Sequence, residues 1–491
     1  MSGNGNGAVL IPGDTCWRIE RADRLTILID AEDYFRAAKA SMLQARKRIM
    51  LIGWDFDTRI DLEPHKRTLP GPNQVGRFLR WLTHERPELE IYLLKWDLGT
   101  LSDAIPRGMP PVFLLNWITG KRLHLQADSV HPPGAAHHQK IVVIDDAIAF
   151  CGGIDMTVNR WDSRAHLDDD TRRTNPNGEQ HDPWHDATIA VDGAAARALG
   201  DLARERWHTA SGEELAPIED AADYSTDWPQ SLEPTIRDVD VAITRTLPEL
   251  EDRTEIREVE ALFLAAVAAA ETTLYIENQY LASRTIAEAV ASRLAQPNCP
   301  EIVLVIARNA TGWLEQKTMD GARHRLLRLL WKADRNDRLS VYYPVTAAGE
   351  PIYVHAKVLV LDDRMLRVGS ANLNNRSMGF DTECDLALEA VGDDAQRITD
   401  TVLRFRDDLI AEHLDTTVEA VRAAIAKADG SVQGAIESLR TEPGAGRTLV
   451  PFDRETVEGE DSALAENELM DPETAAVRFP DLIRRVWNRF G

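Results

Sequence analysis

Cysteine is scarce in this chain, and its few cysteines lie far apart. There are four in 491 residues, and no two of them form a CxxC pair. Scattered cysteines argue against a disulfide framework and are typical of proteins from a reducing compartment. The positions are Cys16, Cys151, Cys299 and Cys384.

Positive charge is also in short supply. The sequence has 56 Lys and Arg against 80 Asp and Glu, a formal net charge of −24. A surface of this sign repels phosphate backbones and gives no extended track for nucleic acid. It gives no attraction to an anionic membrane surface either. We therefore expect no nucleic-acid partner, while a local positive pocket remains compatible with the composition.

Long apolar runs are missing. The longest run, Ala261–Ala270, has ten residues and predicts a buried helix, because a membrane-spanning helix needs about 20. The N-terminal stretch Met1–Cys16 is rich in Gly and Asn and lacks the basic and apolar regions of a signal peptide. We expect no transmembrane segment and a cytoplasmic protein that meets membranes peripherally. Non-classical export is compatible with the same absences.

Apolar residues make up 44% of the chain and follow helical and strand patterns in turn. A helical pattern over 31–47 precedes a short apolar run at Ile49–Gly53, and a second helix is expected around Val75–His84. The same order of elements returns in the second half, with a helix over Lys317–Lys332. Helices interleaved with strands that are apolar on both faces predict a layered α/β fold.

Changes of pattern divide the chain into four segments. We expect a first half at 1–216, an acidic linker at 217–238 and a second half at 239–414. A helical and acidic appendage is expected at 415–491, with a helical hairpin broken at Gly430 and no catalytic role.

Two stretches repeat polar residues in register. HHQKIVVIDDAIAFCGGID and YVHAKVLVLDDRMLRVGSAN align without a gap, every matched position being 217 residues apart. A repeat that served structure alone would keep the apolar pattern and let polar positions drift, so the retained residues indicate shared chemistry. The matched pairs are His138 and His355, Lys140 and Lys357, Asp145 and Asp362, Gly152 and Gly369, Gly153 and Ser370, and Asp155 and Asn372.

The spacing suggests what this chemistry is. On a strand, residues two apart share a face, so each His lies beside its Lys, while Asp145 and Asp362 face the other way and suit a supporting role. Two imidazoles and two ammonium groups brought together from the two halves would make a positive pocket for a phosphate diester. The lysines would stabilise developing charge on the phosphate. One His would attack phosphorus while the other protonates the leaving alcohol, without a metal ion or another cofactor.

These residues resemble the phospholipase D superfamily, whose HxKxxxxD motif occurs twice here. The segments NRWD, PWHD (Pro183–Asp186), YIENQY (Tyr275–Tyr280) and the stretch from Gly369 are similar to the branch that includes eukaryotic phospholipases D. The likeness covers about residues 25–410. It implies two pseudo-symmetric α/β/α sandwich halves with the active site at their interface. It also implies hydrolysis of phospholipid to phosphatidate and alcohol through a phosphohistidine, and transphosphatidylation when another alcohol replaces water.

The resemblance implies roles for individual residues. His138 is expected as the nucleophile and His355 as the general acid and base, although the symmetry allows the reverse. A carboxylate that follows each motif histidine is expected to orient it. The candidates are Glu383, 28 residues after His355, and Asp162, 24 residues after His138. Candidates for phosphate binding or support are Gly153, Asp155, Ser370 and Asn372.

Several residues near the motifs have two readings. His137 and His185 are expected to serve loop structure or a headgroup, and the acidic stretch His166–Asp170 favours a solvated loop over a metal cluster. Four tryptophans could line an acyl or headgroup site or pack in the core. They are Trp54, Trp161, Trp184 and Trp313.

Three other functions remain as alternatives. Cardiolipin synthase-like phosphatidyl transfer is disfavoured by the lack of a transmembrane helix. A nuclease of the same superfamily is disfavoured by the net charge of −24. A non-catalytic lipid-binding scaffold would have no need of two intact motifs.

Overall fold

The computed structural model describes residues 7–96, 122–219, 228–251, 253–309, 321–452 and Arg454. Trp313, the start of the helix predicted at Lys317–Lys332 and most of the acidic C-terminal segment lie outside this part of the chain. The helices of the described residues are α1 Ala31–Met42, α2 Val75–Glu85, α3 Gly193–Ser211, α4 Glu258–Ala269, α5 Arg284–Leu294, α6 Gly321–Ala333, α7 Ala395–His413, α8 Val418–Lys427 and α9 Val432–Leu439.

The strands fall mostly where the apolar runs predict them. They are β1 Arg18–Ile29, β2 Arg48–Gly53, β3 Glu90–Trp96, β4 Leu123–Asp128, β5 Ile141–Ile144, β6 Ile148–Gly152, β7 Trp184–His185, β8 Ala187–Asp192, β9 Ile236–Leu247, β10 Ile256–Arg257, β11 Thr273–Asn278, β12 Glu301–Ile306, β13 Leu339–Val345, β14 Tyr353–Val354, β15 Val358–Leu361, β16 Met365–Gly369, β17 Glu383–Glu389 and β18 Thr448–Pro451.

One large mixed sheet runs through the molecule, and its centre is the antiparallel pair β1 and β9. Outward from β1 come β8, β6, β5, β2, β3 and β4. Outward from β9 come β17, β16, β15, β11, β12 and β13, followed by β18 at the edge. Each arm thus has an antiparallel hairpin, β5–β6 or β15–β16, and then three parallel strands. The predicted α/β class is confirmed.

Helices cover both faces of the sheet. On one face, α3 and α7 pack on alternate strand residues from both arms in a single apolar cluster that includes Val143 and Val360. On the other face, α1 and α2 pack on Ile49 and Leu51, while α4, α5 and α6 pack on Ile276 and its neighbours. Because both faces are covered, the strands read as continuous apolar runs rather than alternating ones.

The first helix ends earlier than its pattern predicts, at Met42 instead of residue 47. The backbone N–H groups of Arg46, Lys47 and Arg48 donate to the carboxylate of Asp145 at 2.5–2.8 Å. Those donors are therefore withdrawn from helical hydrogen bonding, and the chain turns into β2.

Two further features bear on the sequence-based expectations. β9 begins at Ile236, inside the segment expected as a linker, and β18 joins the sheet beside β13 from the segment expected as an appendage. The four cysteines are buried and form no disulfide, as predicted. Among the described residues, no helix combines the length and apolar character needed to cross a bilayer.

Candidate active site

Each motif histidine lies just before the antiparallel hairpin of its own arm. His138 precedes β5 and His355 precedes β15, so each histidine lies next to the first strand of its hairpin. The backbone N–H of His138 donates to Thr382 O at 3.0 Å, and that of His355 donates to His185 O at 2.8 Å. The backbone of each motif histidine is therefore hydrogen-bonded to a segment of the opposite half.

This crossing places a carboxylate from the opposite half against each imidazole. His138 Nδ1 lies 3.0 Å from both carboxylate oxygens of Glu383. His355 Nδ1 lies 2.6 Å from Asp186 Oδ2. A carboxylate accepts the proton of Nδ1, which leaves Nε2 of each ring to react.

Asp186 and Glu383 occupy equivalent positions in the two arms. Ile148 of β6 pairs with Asp192 of β8, and the matching residue Met365 of β16 pairs with Glu389 of β17. Asp192 follows Asp186 by six residues, and Glu389 follows Glu383 by six.

The carboxylates are held in two different ways. Ser370 and Ser377 donate their hydroxyls to Glu383. Asp186 accepts from Ala187 N at 2.8 Å, and it lies so near Gly153 that a Cβ there would come within 2.0 Å of its Oδ1. Gly153 and Ser370, which are matched in the repeat, thus both help to position a carboxylate, but in different ways. One makes room for a carboxylate and the other binds it.

The two lysines have different surroundings. Lys140 Nζ lies 3.1 Å from Asp155 Oδ2 and donates to His138 O at 2.9 Å. Lys357 Nζ donates to the amide oxygen of Gln279 at 3.2 Å and to His355 O. Burial, with a smaller effect from the charge of Lys140, lowers the pKa of Lys357 to about 7. The two lysines therefore differ in their side-chain partners. Lys140 is held by the carboxylate of Asp155, whereas Lys357 contacts the neutral amide of Gln279.

Asn372 stands in the second copy where Asp155 stands in the first. Its Oδ1 is buried and accepts no hydrogen bond from any described residue. Because Asn372 is uncharged, it cannot form with Lys357 the ion pair that Asp155 forms with Lys140.

Burial and neighbouring charge keep both imidazoles neutral. Burial and the ammonium groups of Lys140 and Lys357 hold the pKa of His138 well below its usual range. Burial, Lys357 and Arg160 do the same to the pKa of His355. Since lysines of both motifs act on each histidine, the four side chains share one electrostatic environment, and a neutral imidazole is available as a nucleophile.

Aromatic rings flank both histidines. The ring centroid of Trp54 lies 6.4 Å from that of His138, and Trp184 lies 4.9 Å from His355. The guanidinium of Arg160 lies 4.4 Å from the centroid of Trp184 and adds a further cation to this side. Trp161 packs in the core instead.

Asp145 and Asp362, which the HxKxxxxD motif groups with the catalytic histidines and lysines, do not lie beside them in the structure. Both follow the far end of the strand whose other end carries the histidine and lysine. Asp145 accepts three backbone N–H bonds from the start of β2, and Asp362 accepts the N–H groups of Thr272 and Thr273 at 2.8 Å. These carboxylates anchor the hairpin turns.

The structure does not bring Asp162 to a motif histidine, as was expected of it. Asp162 contacts His166 Nδ1 at 2.8 Å and accepts from Trp184 N at 2.9 Å. Asp186 contacts the motif histidine instead, and Glu383 serves the histidine of the opposite half. The loop 162–183 lengthens the first arm. The number of residues after the motif histidine therefore does not locate the matching carboxylate. Aligning β8 with β17, with PWHD as the guide, would have found Asp186.

Residues 167–169 of the stretch His166–Asp170 are exposed, as in the solvated loop that was favoured, but His166 itself is buried. The His166 side chain is fully buried, 2.8 Å from Asp162 and 3.2 Å from Glu412. His185 is buried beside the same Glu412. His137 has a structural environment, 3.0 Å from Asp128.

Comparison with known proteins finds relatives of this chain. A family model described as Phospholipase D matches residues 333–428. Phospholipase D A of Dictyostelium discoideum is 23% identical over 438 residues, covering 75% of this chain and 33% of that protein. Phospholipase D1 of Schizosaccharomyces pombe is 22% identical over 452 residues, covering 73% and 32%. The chain spans about a third of the length of these relatives.

A solved structure shares the fold. Phosphatidylserine synthase of Haemophilus influenzae superposes with a TM-score of 0.55 at 12% identity, covering 84% of this chain and 95% of that one. At this identity the likeness concerns the fold alone. The two HxKxxxxD copies, the matching family model and the relatives matched over most of the chain support one conclusion: the chain belongs to the phospholipase D superfamily.

Proposed function

We propose that the chain is a phospholipase D-type phosphodiesterase. It hydrolyses glycerophospholipid, such as phosphatidylcholine, to phosphatidic acid and the free alcohol of the headgroup. The observation that carries the proposal is the pair of reciprocal contacts, His138 with Glu383 and His355 with Asp186, beside two buried lysines. Two oriented imidazoles in a positive pocket suit the in-line exchange of one phosphate ester for another.

In the first half-reaction His138 Nε2 attacks phosphorus, and the bond from phosphorus to the headgroup oxygen breaks. His355 gives its Nε2 proton to that leaving oxygen. The bound diester carries a negative charge that offsets the two ammonium groups, which favours the protonated form of His355 in the complex. Lys140 and Lys357 stabilise the charge on the non-bridging oxygens.

In the second half-reaction His355 takes a proton from water, and the water oxygen attacks phosphorus. The bond between phosphorus and His138 breaks, phosphatidate leaves, and both imidazoles return to their starting forms. A primary alcohol in place of water would give a phosphatidylalcohol by the same steps.

The protein is proposed to work from the cytoplasm and to meet its lipid as a peripheral protein at the membrane surface. Its net charge of −24 would oppose binding to anionic lipid. A zwitterionic surface therefore suits it best.

A panel of phosphodiesters tests the substrate class. Headgroup release from mixed vesicles, cleavage of plasmid DNA and conversion of phosphatidylglycerol to cardiolipin are measured side by side. Release of choline with formation of phosphatidic acid supports the proposal. DNA cleavage without lipid hydrolysis would indicate the nuclease, and cardiolipin formation without hydrolysis the transferase. The His208→Ala variant, altered at an exposed site on α3, serves as the control for His138→Ala.

The roles of the two histidines are separable with a phosphatidyl ester of nitrophenol. Nitrophenolate leaves without a proton, so the His355→Asn variant should form the adduct and fail to hydrolyse it. Mass spectrometry should then find the phosphoryl group on the peptide that contains His138. An adduct on His355 in the His138→Asn variant would reverse the assignment.

A further inference from the structure

A second cluster of ionisable side chains lies beside the active site, in the interior of the protein. Asp30 follows β1, His166 lies in the loop 162–183, His185 is in β7 and Glu412 is near the end of α7. Their side chains are at most 1% exposed. The mechanism proposed above uses none of them.

The distances within this cluster fit one small cation. His166 Nε2 lies 3.3 Å from Asp30 Oδ2 and 3.2 Å from Glu412 Oε1. His185 Nδ1 lies 3.2 Å from Asp30 Oδ1 and 3.0 Å from the same Glu412 oxygen. Ligands about 2.0–2.1 Å from a tetrahedral zinc ion are about 3.3 Å from one another, close to these spacings.

Two atoms of the cluster lack the hydrogen bonds that buried polar atoms require. Asp30 Oδ2 and His185 Nδ1 make no well-aligned hydrogen bond with any residue in the described part of the chain. Both point into the cluster, within 3.0–3.3 Å of its other ligand atoms. Leaving such atoms unsatisfied is unfavourable, because they lose their contact with water and gain no partner in return. A cation between them would satisfy both.

The backbone of Asp30 gives independent support. Its φ of 65° and ψ of 160° place it in a region that is almost confined to glycine. Such a strained conformation persists only where the surrounding structure holds the residue and its side chain in a fixed position.

The opposite nitrogen of each histidine contacts an outer carboxylate. His166 Nδ1 lies 2.8 Å from Asp162 Oδ2, and His185 Nε2 lies 2.8 Å from Glu277 Oε2. In metal sites an outer carboxylate usually accepts the second ring N–H of a ligating histidine, which fixes the tautomer and the ring orientation.

From this geometry we infer a structural zinc site formed by Asp30, His166, His185 and Glu412. Two imidazole nitrogens and two carboxylates in a tetrahedron suit Zn²⁺, whereas Ca²⁺ and Mg²⁺ prefer six or more oxygen ligands. With four protein ligands the site has no open position, so it does not activate water or bind the phospholipid.

The site would join the two halves next to the catalytic centre. Three ligands come from the first half and Glu412 from the second. His185 directly precedes Asp186, and Asp30 Oδ1 accepts from Asp186 N at 3.1 Å. The zinc ion would thereby fix the carboxylate that orients His355.

The competing arrangement replaces the cation by two protons, one on each imidazole. A divalent ion and two protons carry the same charge, so the charge balance of the cluster allows either. Binding of the metal would therefore release two protons.

The test measures metal in the full-length, tag-free protein. After growth with added zinc and dialysis against a weak chelator, we expect about one zinc per chain by mass spectrometry. Asp30→Asn and His166→Gln should each lower that content about tenfold or more, and Asp162→Asn should weaken retention. His208→Ala, which alters an exposed histidine on α3 outside the cluster, should keep its zinc.

A second readout does not depend on the variants. Protein refolded with Co²⁺ should show the strong visible absorption of tetrahedral cobalt, and zinc should abolish it. A wild-type protein without zinc, together with no cobalt spectrum and no thermal stabilisation by zinc on refolding, would overturn the inference in favour of the two-proton arrangement. Metal content does not depend on the substrate, so failure of the proposed lipase activity would leave this result intact.

Discussion

Glu383 lies 245 residues after His138 in the chain, yet its carboxylate is 3.0 Å from the Nδ1 atom of that histidine. Reciprocally, Asp186 of the first half contacts His355 of the second half. Neither half of the repeat therefore contains a complete carboxylate–histidine pair. The two halves therefore depend on each other for the orientation of both motif histidines.

Replacing either carboxylate by its amide should slow the chemical step. Glu383→Gln and Asp186→Asn keep the side-chain volume but favour the wrong tautomer of His138 or His355. The precedent of serine protease triads suggests a loss of up to about 10⁴-fold in kcat. Single-turnover rates on a phosphatidyl ester measure it, with the exposed Glu288→Gln variant as control. Rates within a factor of a few of wild type would show that the contacts do not orient the imidazoles.

A methyl group at Gly153 should disturb only one of the two pairs. The new Cβ would lie 2.0 Å from Asp186 Oδ1, so the carboxylate must move away from His355. We expect Gly153→Ala to lower kcat about 100-fold or more while phosphate binding persists, because substrate contacts are unaffected. The control is Gly7→Ala, where the added Cβ meets nothing within 4 Å. Unchanged kcat in Gly153→Ala would contradict the tight approach of Asp186.

Activity should fall as the pH rises through the titration of Lys357. Burial lowers the pKa of this ammonium to about 7, and a lysine is charged below its pKa and neutral above it. The free protein therefore loses a phosphate-binding charge on the alkaline side, and kcat/KM should decline there. A profile from about pH 5 to 9 with a soluble diester records it, since kcat/KM reports groups of the free protein.

The Lys357→Arg variant is the matched test of that assignment, because arginine stays charged over the whole range. It should remove the alkaline decline even if the maximal rate is lower. A decline that persists unchanged in Lys357→Arg would assign it to another group.

Loss of Asp145 should cost stability and leave the chemistry alone. Its carboxylate accepts three backbone N–H groups at 2.5–2.8 Å, and Asp145 has a φ of 53° that alanine adopts poorly. We expect Asp145→Ala to lower the free energy of unfolding by about 2–4 kcal/mol, with a smaller loss for Asp145→Asn.

Urea unfolding measures that change, and kcat of the folded variant at 25 °C is expected to match wild type. A large drop in kcat without a change in stability would instead assign Asp145 a role in catalysis.

Sequence was sufficient for the local features. The alternation of apolar runs predicted the α/β class and most strands, and the register of His138 and Lys140 with His355 and Lys357 pointed to the two pairs that are proposed as catalytic. Such features depend on short-range periodicity and on residues that a repeat retains, and both can be read along the chain.

Tertiary structure decided which residues meet across the repeat. Counting from each histidine led to Asp162, but the loop after it lengthens one arm, and strand register places Asp186 in that role. The partners of Asp145, the burial of His166 and the meeting of Asp30 with Glu412 likewise join segments far apart in sequence. Such contacts depend on how the two arms of the sheet come together at β1 and β9, because packing between distant segments leaves no local periodicity in the chain.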